Sequence, residues 1–326
     1  MAREAREPPR DAGALLAALA EQYGRVEHFS HPDTFFVPPP PAQMRARHVA
    51  DLAGGGAIVD LTWPSAHVPL VHDYREEFAG HAENLAAYAR WWRSPRPRTT
   101  IVLLHGWGGG QWFLESRAFP IEYFRKLGLD VLLFQLPFHG LRAPRGTRSG
   151  QLFPSPHVVR TNEAFAQAIS DLRALHTWLL DQDVPAIGLS GMSLGGYTTA
   201  LYASLVPDVA FAAPMIPAVS ISDLMWRHGD ASAARKRAVA AGVTEALLAA
   251  VFRVHAPLER RPLLERRRRF IIAGRGDRIT PPDQAERLWK HWEQPGIHWF
   301  PGGHLAQVGR GDAFRAMGRW LRGLLA

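Results

Sequence analysis

The sequence predicts an α/β protein, a mostly parallel sheet with helices on both faces, and three observations carry that expectation. From residue 99 onward, short apolar runs alternate with longer segments of helical periodicity. Runs such as residues 100–104 (TIVLL) are β-branched and lack polar alternation, as strands buried on both faces do. A serine sits between one such run and a helical segment, in Gly191-Met192-Ser193-Leu194-Gly195, the strand–turn–helix setting that a G-x-S-x-G motif requires.

The elements follow in order. Residues 11–23 read as a short helix, and residues 30–48 as an irregular Pro-rich stretch whose prolines at 38–41 favour extended geometry. Gly54-Gly55-Gly56 reads as a tight turn before a strand at 57–61, with the run 68–71 as its expected partner. After the strand at 100–104, one helix is expected over about 114–127, ended by Gly128. Residues 130–136 read as a strand. Residues 161–180 read as a long helix, because Phe165, Ile169, Leu172, Leu175 and Leu179 recur at three-and-four spacing. A strand at 186–189, the Ser193 turn and a helix at 198–206 come next, then strands at 209–214 and 270–273, a helix at 283–292, a strand at 297–300 and a helix at 314–325.

The alternation breaks once, at about 217–265, where residues 231–241 and 244–252 have helical composition and no strand intervenes. An insertion there is expected as a small helical cap over the C-terminal edge of the sheet, where ligands bind in open α/β folds. The domain reading is therefore an N-terminal extension at 1–56 and one α/β domain at 57–326 that carries this insertion.

Composition narrows the function classes. With 326 residues, 47% of them hydrophobic, the chain can bury a large core. It has no Cys, which removes disulfides and thiolate–metal sites, and no metal site is expected elsewhere. Arg3, Arg6 and Arg10 alternate with Glu4, Glu7 and Asp11, unlike a signal peptide, so a cytoplasmic protein is expected. The net charge is +8, and its densest run, Arg266 to Arg269, reads as a solvated loop entering a strand. No nucleic-acid partner is expected. Peripheral contact with anionic lipid is a weaker reading, motivated by the charge and by Trp91 and Trp92, which read more readily as core.

The candidate chemistry is acyl transfer. A serine hydroxyl needs a base, and the base needs an orienting group. Ser193 is the candidate nucleophile, while Ser190 reads as a strand-end residue. His304 follows the last strand in Pro301-Gly302-Gly303-His304 and is the candidate base. Asp277, in the loop after residues 270–273, is the candidate orienting acid, ahead of Asp223 and Asp283. His105-Gly106-Trp107-Gly108-Gly109-Gly110 follows the strand at 100–104, where glycines let the backbone approach a carbonyl. The backbone amides of Leu194 and Trp107 are the expected oxyanion hole, with Gly108 as the alternative to Trp107. A dinucleotide loop is excluded, because G-x-G-x-x-G would need Gly where Gln111 stands.

From about residue 99 to its end the chain resembles the α/β-hydrolase family. The residues that carry the resemblance are His105 to Gly108, Gly191 to Gly195, Gly274 to Asp277, and Gly303-His304. Residues 135–141 resemble the family's D-x-P-G-H-G segment, with Gln135 in place of Asp and Phe138 in place of Gly. The resemblance implies an eight-stranded, mostly parallel sheet, Ser–Asp–His catalysis and no cofactor. The expected activity is hydrolysis of a small-molecule or lipid carboxylic ester. Acyl transfer on the same site, or a non-catalytic binding protein of the same fold, are the alternatives.

Overall fold

A computed structural model describes residues 11–229 and 232–325. The charges from Arg3 to Arg10, and Ala231 at the start of an expected helix, lie outside them. Among the described residues nine strands form one sheet: β1 (Arg45–Asp51), β2 (Ala57–Pro64), β3 (Ala86–Arg93), β4 (Thr100–Leu104), β5 (Asp130–Phe134), β6 (Ile187–Met192), β7 (Ala212–Met215), β8 (Phe270–Gly274) and β9 (Gly296–Phe300). Their order is β1-β2-β3-β5-β4-β6-β7-β8-β9, with β4 to β9 parallel and β1 to β3 antiparallel to their neighbours.

The expected eight strands are corrected to nine. β1 begins inside the stretch read as irregular and runs past its end, and every one of its residues is exposed, so it has no buried face to print on the sequence. The expected partner of residues 57–61 is also corrected. Residues 68–71 form a loop whose Leu70 and Val71 amides donate to the buried Glu163 carboxylate, and β2 pairs with β1 and β3 instead. Trp91 and Trp92 are neighbours on β3 and point to opposite faces of the sheet. Trp91 enters one core cluster and Trp92 the other, and both are buried.

Those two clusters are the two faces of the sheet. The helix Val158–Asp181 covers one face with Phe165, Ile169, Leu172 and Leu175. The last helix, Arg310–Leu325, covers the other with Phe314, Met317 and Leu321. The single helix expected over 114–127 is two, Trp112–Ala118 and Ile121–Lys126. Pro120 separates them, since its nitrogen cannot donate and its ring blocks the preceding turn.

Among its described residues the insertion holds three α-helices, Ile221–His228, Ala233–Ala240 and Glu245–Phe252. Each begins at a hydroxyl cap: Ser220, Ser232 and Thr244 accept from the amides of Asp223, Arg235 and Leu247. Val251, Phe252 and Val254 enter the core, so this end of the insertion is structural packing. The N-terminal helix Ala12–Tyr23 joins it, with the Gly13 amide donating to Ala241 O at 2.8 Å. A Cβ on Gly13 would lie 2.5 Å from Gly242 O, so only glycine allows this approach. Helix Ile221–His228 packs on the same core through Ile221, and at its end His228 Nε2 bonds Ile279 O at 2.7 Å, in the loop after β8. No single helix among the described residues is long and apolar enough to cross a membrane.

Candidate active site

The parallel strands deliver the candidate residues to one end of the sheet. Ser193 follows β6, the His105–Gly110 loop follows β4, Asp277 follows β8 and His304 follows β9.

Ser193 occupies a sharp turn with φ +55° and ψ −110°, a conformation an L-residue holds only under constraint. The flanking glycines supply the constraint. A Cβ at Gly191 would sit 2.5 Å from the Gly195 carbonyl carbon, and one at Gly195 would sit 2.1 Å from Leu104 O. The chain can pack this tightly against β4 only because both positions lack a side chain. The Ser193 amide donates to Met215 O at 3.0 Å, which anchors the turn to the end of β7. Ser190 is different: it is fully buried and its hydroxyl donates to Ala213 O at 2.6 Å.

Asp277 and His304 are joined directly. His304 Nδ1 lies 2.8 Å from Asp277 Oδ2. The other carboxylate oxygen accepts from the Ile279 and Thr280 amides at 2.9 and 2.8 Å. Asp277 is 4% exposed. Burial pushes its carboxyl up, but the hydrogen bond and charge of His304, with those two amides, outweigh burial and hold it below the usual value. The carboxylate is therefore ionised and orients the ring through Nδ1, and among the described residues no hydrogen bond reaches the ring's other nitrogen. Among the described residues no hydrogen bond joins Ser193 Oγ to His304. Asp223 and Asp283, the weaker acid candidates, are instead bound to Arg227.

The β4 loop closes over the serine turn. A Cβ at Gly106 would lie 3.5 Å from Ser193 Cβ, so this backbone runs alongside the candidate nucleophile. The amides of Leu194 and Trp107 have no hydrogen-bond partner among the described residues. His105 is a structural residue: Nδ1 bonds Gly106 O at 2.8 Å, and Nε2 accepts from the Leu136 amide at 3.0 Å. Burial lowers its pKa to about 4, so it is neutral.

Sequence reasoning missed the groups that hold this loop. Glu115, buried, accepts from the Gly110 amide at 2.8 Å, and its burial raises the carboxyl. Ser149 and Gln135 donate to Gly109 O and Gly110 O, while Trp107 Nε1 donates to Gly150 O at 2.7 Å. The departure at Gln135 thus has a purpose, since its oxygen also accepts from Leu141 N. Phe138, the other departure, is buried at φ +61°, a backbone geometry that glycine adopts more easily. These anchors lie far apart in sequence from the glycines they hold, and no local pattern marks them.

Comparison with known proteins agrees with this architecture. The model of the alpha/beta hydrolase family matches residues 101–317. An uncharacterised protein of Mycobacterium tuberculosis is 33% identical over 294 residues, which span 89% of this chain and 70% of that protein. Acetyl xylan esterase 1 of Thermoanaerobacterium sp. shares the fold at a TM-score of 0.65 and 15% identity, over 95% of this chain and 99% of that one. An acetyl xylan esterase of Paenibacillus sp. R4 does so at 0.60 and 14%, over 94% and 92%. By the reach of that family match, which spans well over half of its length, the chain belongs to the alpha/beta hydrolase family.

Proposed function

We propose that the chain is a serine hydrolase that cleaves a carboxylic ester through an acyl-enzyme. The observation that carries this reading is the buried, ionised Asp277 bonded at 2.8 Å to His304, at the same sheet end as a serine in a strained turn. Fold alone does not fix activity; this arrangement of acid, base and nucleophile supports it.

In this mechanism Asp277 keeps the proton of His304 on Nδ1 and leaves Nε2 as the base. As the ester docks, Nε2 comes within hydrogen-bond reach of Ser193 Oγ, a contact that commonly tightens only with substrate. Nε2 takes the hydroxyl proton while Oγ bonds to the acyl carbon. The carbonyl electron pair moves onto oxygen, where the Leu194 and Trp107 amides receive it. The carbonyl re-forms, the C–O bond to the alcohol breaks, and the alcohol departs with the proton from Nε2. Water then gives a proton to Nε2 and adds to the acyl carbon, and collapse returns the proton to Ser193 as the acid leaves.

The substrate in this reading is a small-molecule or lipid ester with an apolar group at the mouth of the site. Three exposed apolar side chains support that: Trp107 beside the oxyanion amides, Ile279 beside Asp277 and Leu305 beside His304. The test is a panel of nitrophenyl esters of graded acyl length, run on wild type and Ser193→Ala. Turnover that rises with acyl length and vanishes in the variant is expected. Equal turnover in a folded Ser193→Ala protein, or none in wild type on any ester, defeats the reading.

A further inference from the structure

Thr280 is a buried residue three positions after the acid, and its hydroxyl touches three groups. Oγ1 lies 3.0 Å from Ile216 O, 3.0 Å from Asp277 Oδ2 and 3.1 Å from His304 Nδ1. A hydroxyl has one proton to give. Ile216 O and the ionised carboxylate can only accept it, so in either case Oγ1 faces His304 with a lone pair. Nδ1 then meets two acceptors, Asp277 Oδ2 and Thr280 Oγ1, and must carry the ring proton.

The carbonyl that orients this hydroxyl belongs to a strained residue. Ile216 is β-branched and held at φ +39°, where side chains of its shape are rarely found. The bend lets consecutive carbonyls at the end of β7 serve different parts of the site: Met215 O accepts from the Ser193 amide at 3.0 Å, and Ile216 O faces Thr280. Ile216 stays attached to β8 through its own amide, which donates to Ile272 O at 2.6 Å. The nucleophile turn and the acid loop come from strands far apart in sequence. They meet on two adjacent peptide units.

We infer that Thr280 is a positioning residue: braced by Ile216 O, its hydroxyl fixes the tautomer and aim of His304 relative to Ser193. The inference rests on the serine-hydrolase reading above. It assigns to a threonine in the acid loop, and to the strained end of β7, the task of holding nucleophile and base in one frame.

The experiment is the second-order rate of Ser193 labelling by a fluorophosphonate probe, with thermal unfolding measured in parallel. Thr280→Ser keeps the hydroxyl. Thr280→Val removes it at constant shape, and Thr280→Ala removes it while giving the loop room. Thr280→Ser is expected to label within about threefold of wild type, and either hydroxyl-free variant that folds at least about tenfold more slowly, since one oriented hydrogen bond is worth about that factor. Rescue by serine separates the hydroxyl's role from bulk packing. Hydroxyl-free variants that label as fast as wild type overturn the assignment, as does Thr280→Ser labelling as slowly as Thr280→Val. If Thr280→Ser folds and neither hydroxyl-free chain does, the hydroxyl is a folding group and the assignment is likewise overturned. Wild type that does not label at all defeats the serine-hydrolase reading itself, and the role of Thr280 with it.

Discussion

Replacing Asp277 by Asn isolates the electrostatic part of the site. The substitution nearly conserves volume, so the loop after β8 can keep its path, but the charge facing His304 is gone. In the proposed mechanism, attack by Ser193 makes His304 an imidazolium whose Nδ1 sits 2.8 Å from Asp277 Oδ2. Unit charges at that distance, in an effective dielectric of about 20, attract by about 6 kcal/mol. Both charges are delocalised, over a ring and a carboxylate, so their centres lie farther apart and about half of that, 3 kcal/mol, is a lower figure. At 1.36 kcal/mol per tenfold, the expected loss is about 10²–10⁴ in the rate of Ser193 acylation. Asn can also present its NH₂ to Nδ1 and favour the wrong tautomer, which pushes the loss to the upper end. The assay is the second-order rate of fluorophosphonate labelling, followed by intact mass, with circular dichroism to verify the fold. A folded Asp277→Asn protein that labels within tenfold of wild type would refute the role given to this carboxylate.

Three further outcomes are expected. Ser193→Gly abolishes labelling yet raises stability by about 1 kcal/mol in denaturant titration, because glycine relieves the strain of a φ of +55°; a destabilised variant contradicts the strain. Arg142→Met leaves Asp171 as a buried charge without its 2.7 Å partner and costs about 3–5 kcal/mol, while Arg142→Met with Asp171→Leu recovers at least half of it; a single variant within 1 kcal/mol of wild type contradicts the burial of that pair. Thermal stability falls as pH drops from 7 to 5. His105, whose pKa burial lowers from 6.5 to about 4, binds its proton more readily when unfolded, so its share is full above 6.5 and is lost as pH falls through that window. The full loss, reached near pH 4, is about 3 kcal/mol, of which about 2 kcal/mol falls between pH 7 and 5. His139 and His255, also lowered chiefly by burial, act in the same direction. A flat melting profile between pH 7 and 5 would contradict it.

The parts of the molecule legible in the sequence are those whose burial dictates composition. β4 and β5 have no exposed residue, so their apolar runs could hardly be anything but central strands. The serine turn was legible because its geometry forbids side chains at Gly191 and Gly195. β1 was hidden for the opposite reason, since an edge strand exposed on both faces needs no apolar alternation. β3 was hidden because two of its buried positions are the small Ala87 and Ala89 and the other two are the adjacent Trp91 and Trp92, which breaks the apolar alternation of a strand, although Trp91 and Trp92 read correctly as core. The break at Pro120 was written in the chain, and helical periodicity on either side of it masked the stop. In the site, Ser193, Asp277 and His304 stood out by their places directly after strands, β6, β8 and β9. Thr280, Glu115 and Ser149 act through contacts that only the folded loops create, so nothing local in the sequence marks them.

The central claim is that Ser193 is an activated nucleophile. Intact-mass analysis after fluorophosphonate treatment of wild type, beside Ser193→Ala, tests it most directly. One adduct on wild type and none on the variant is the expected result. A folded wild-type chain that takes no adduct, or a Ser193→Ala chain that takes the same one, would contradict it.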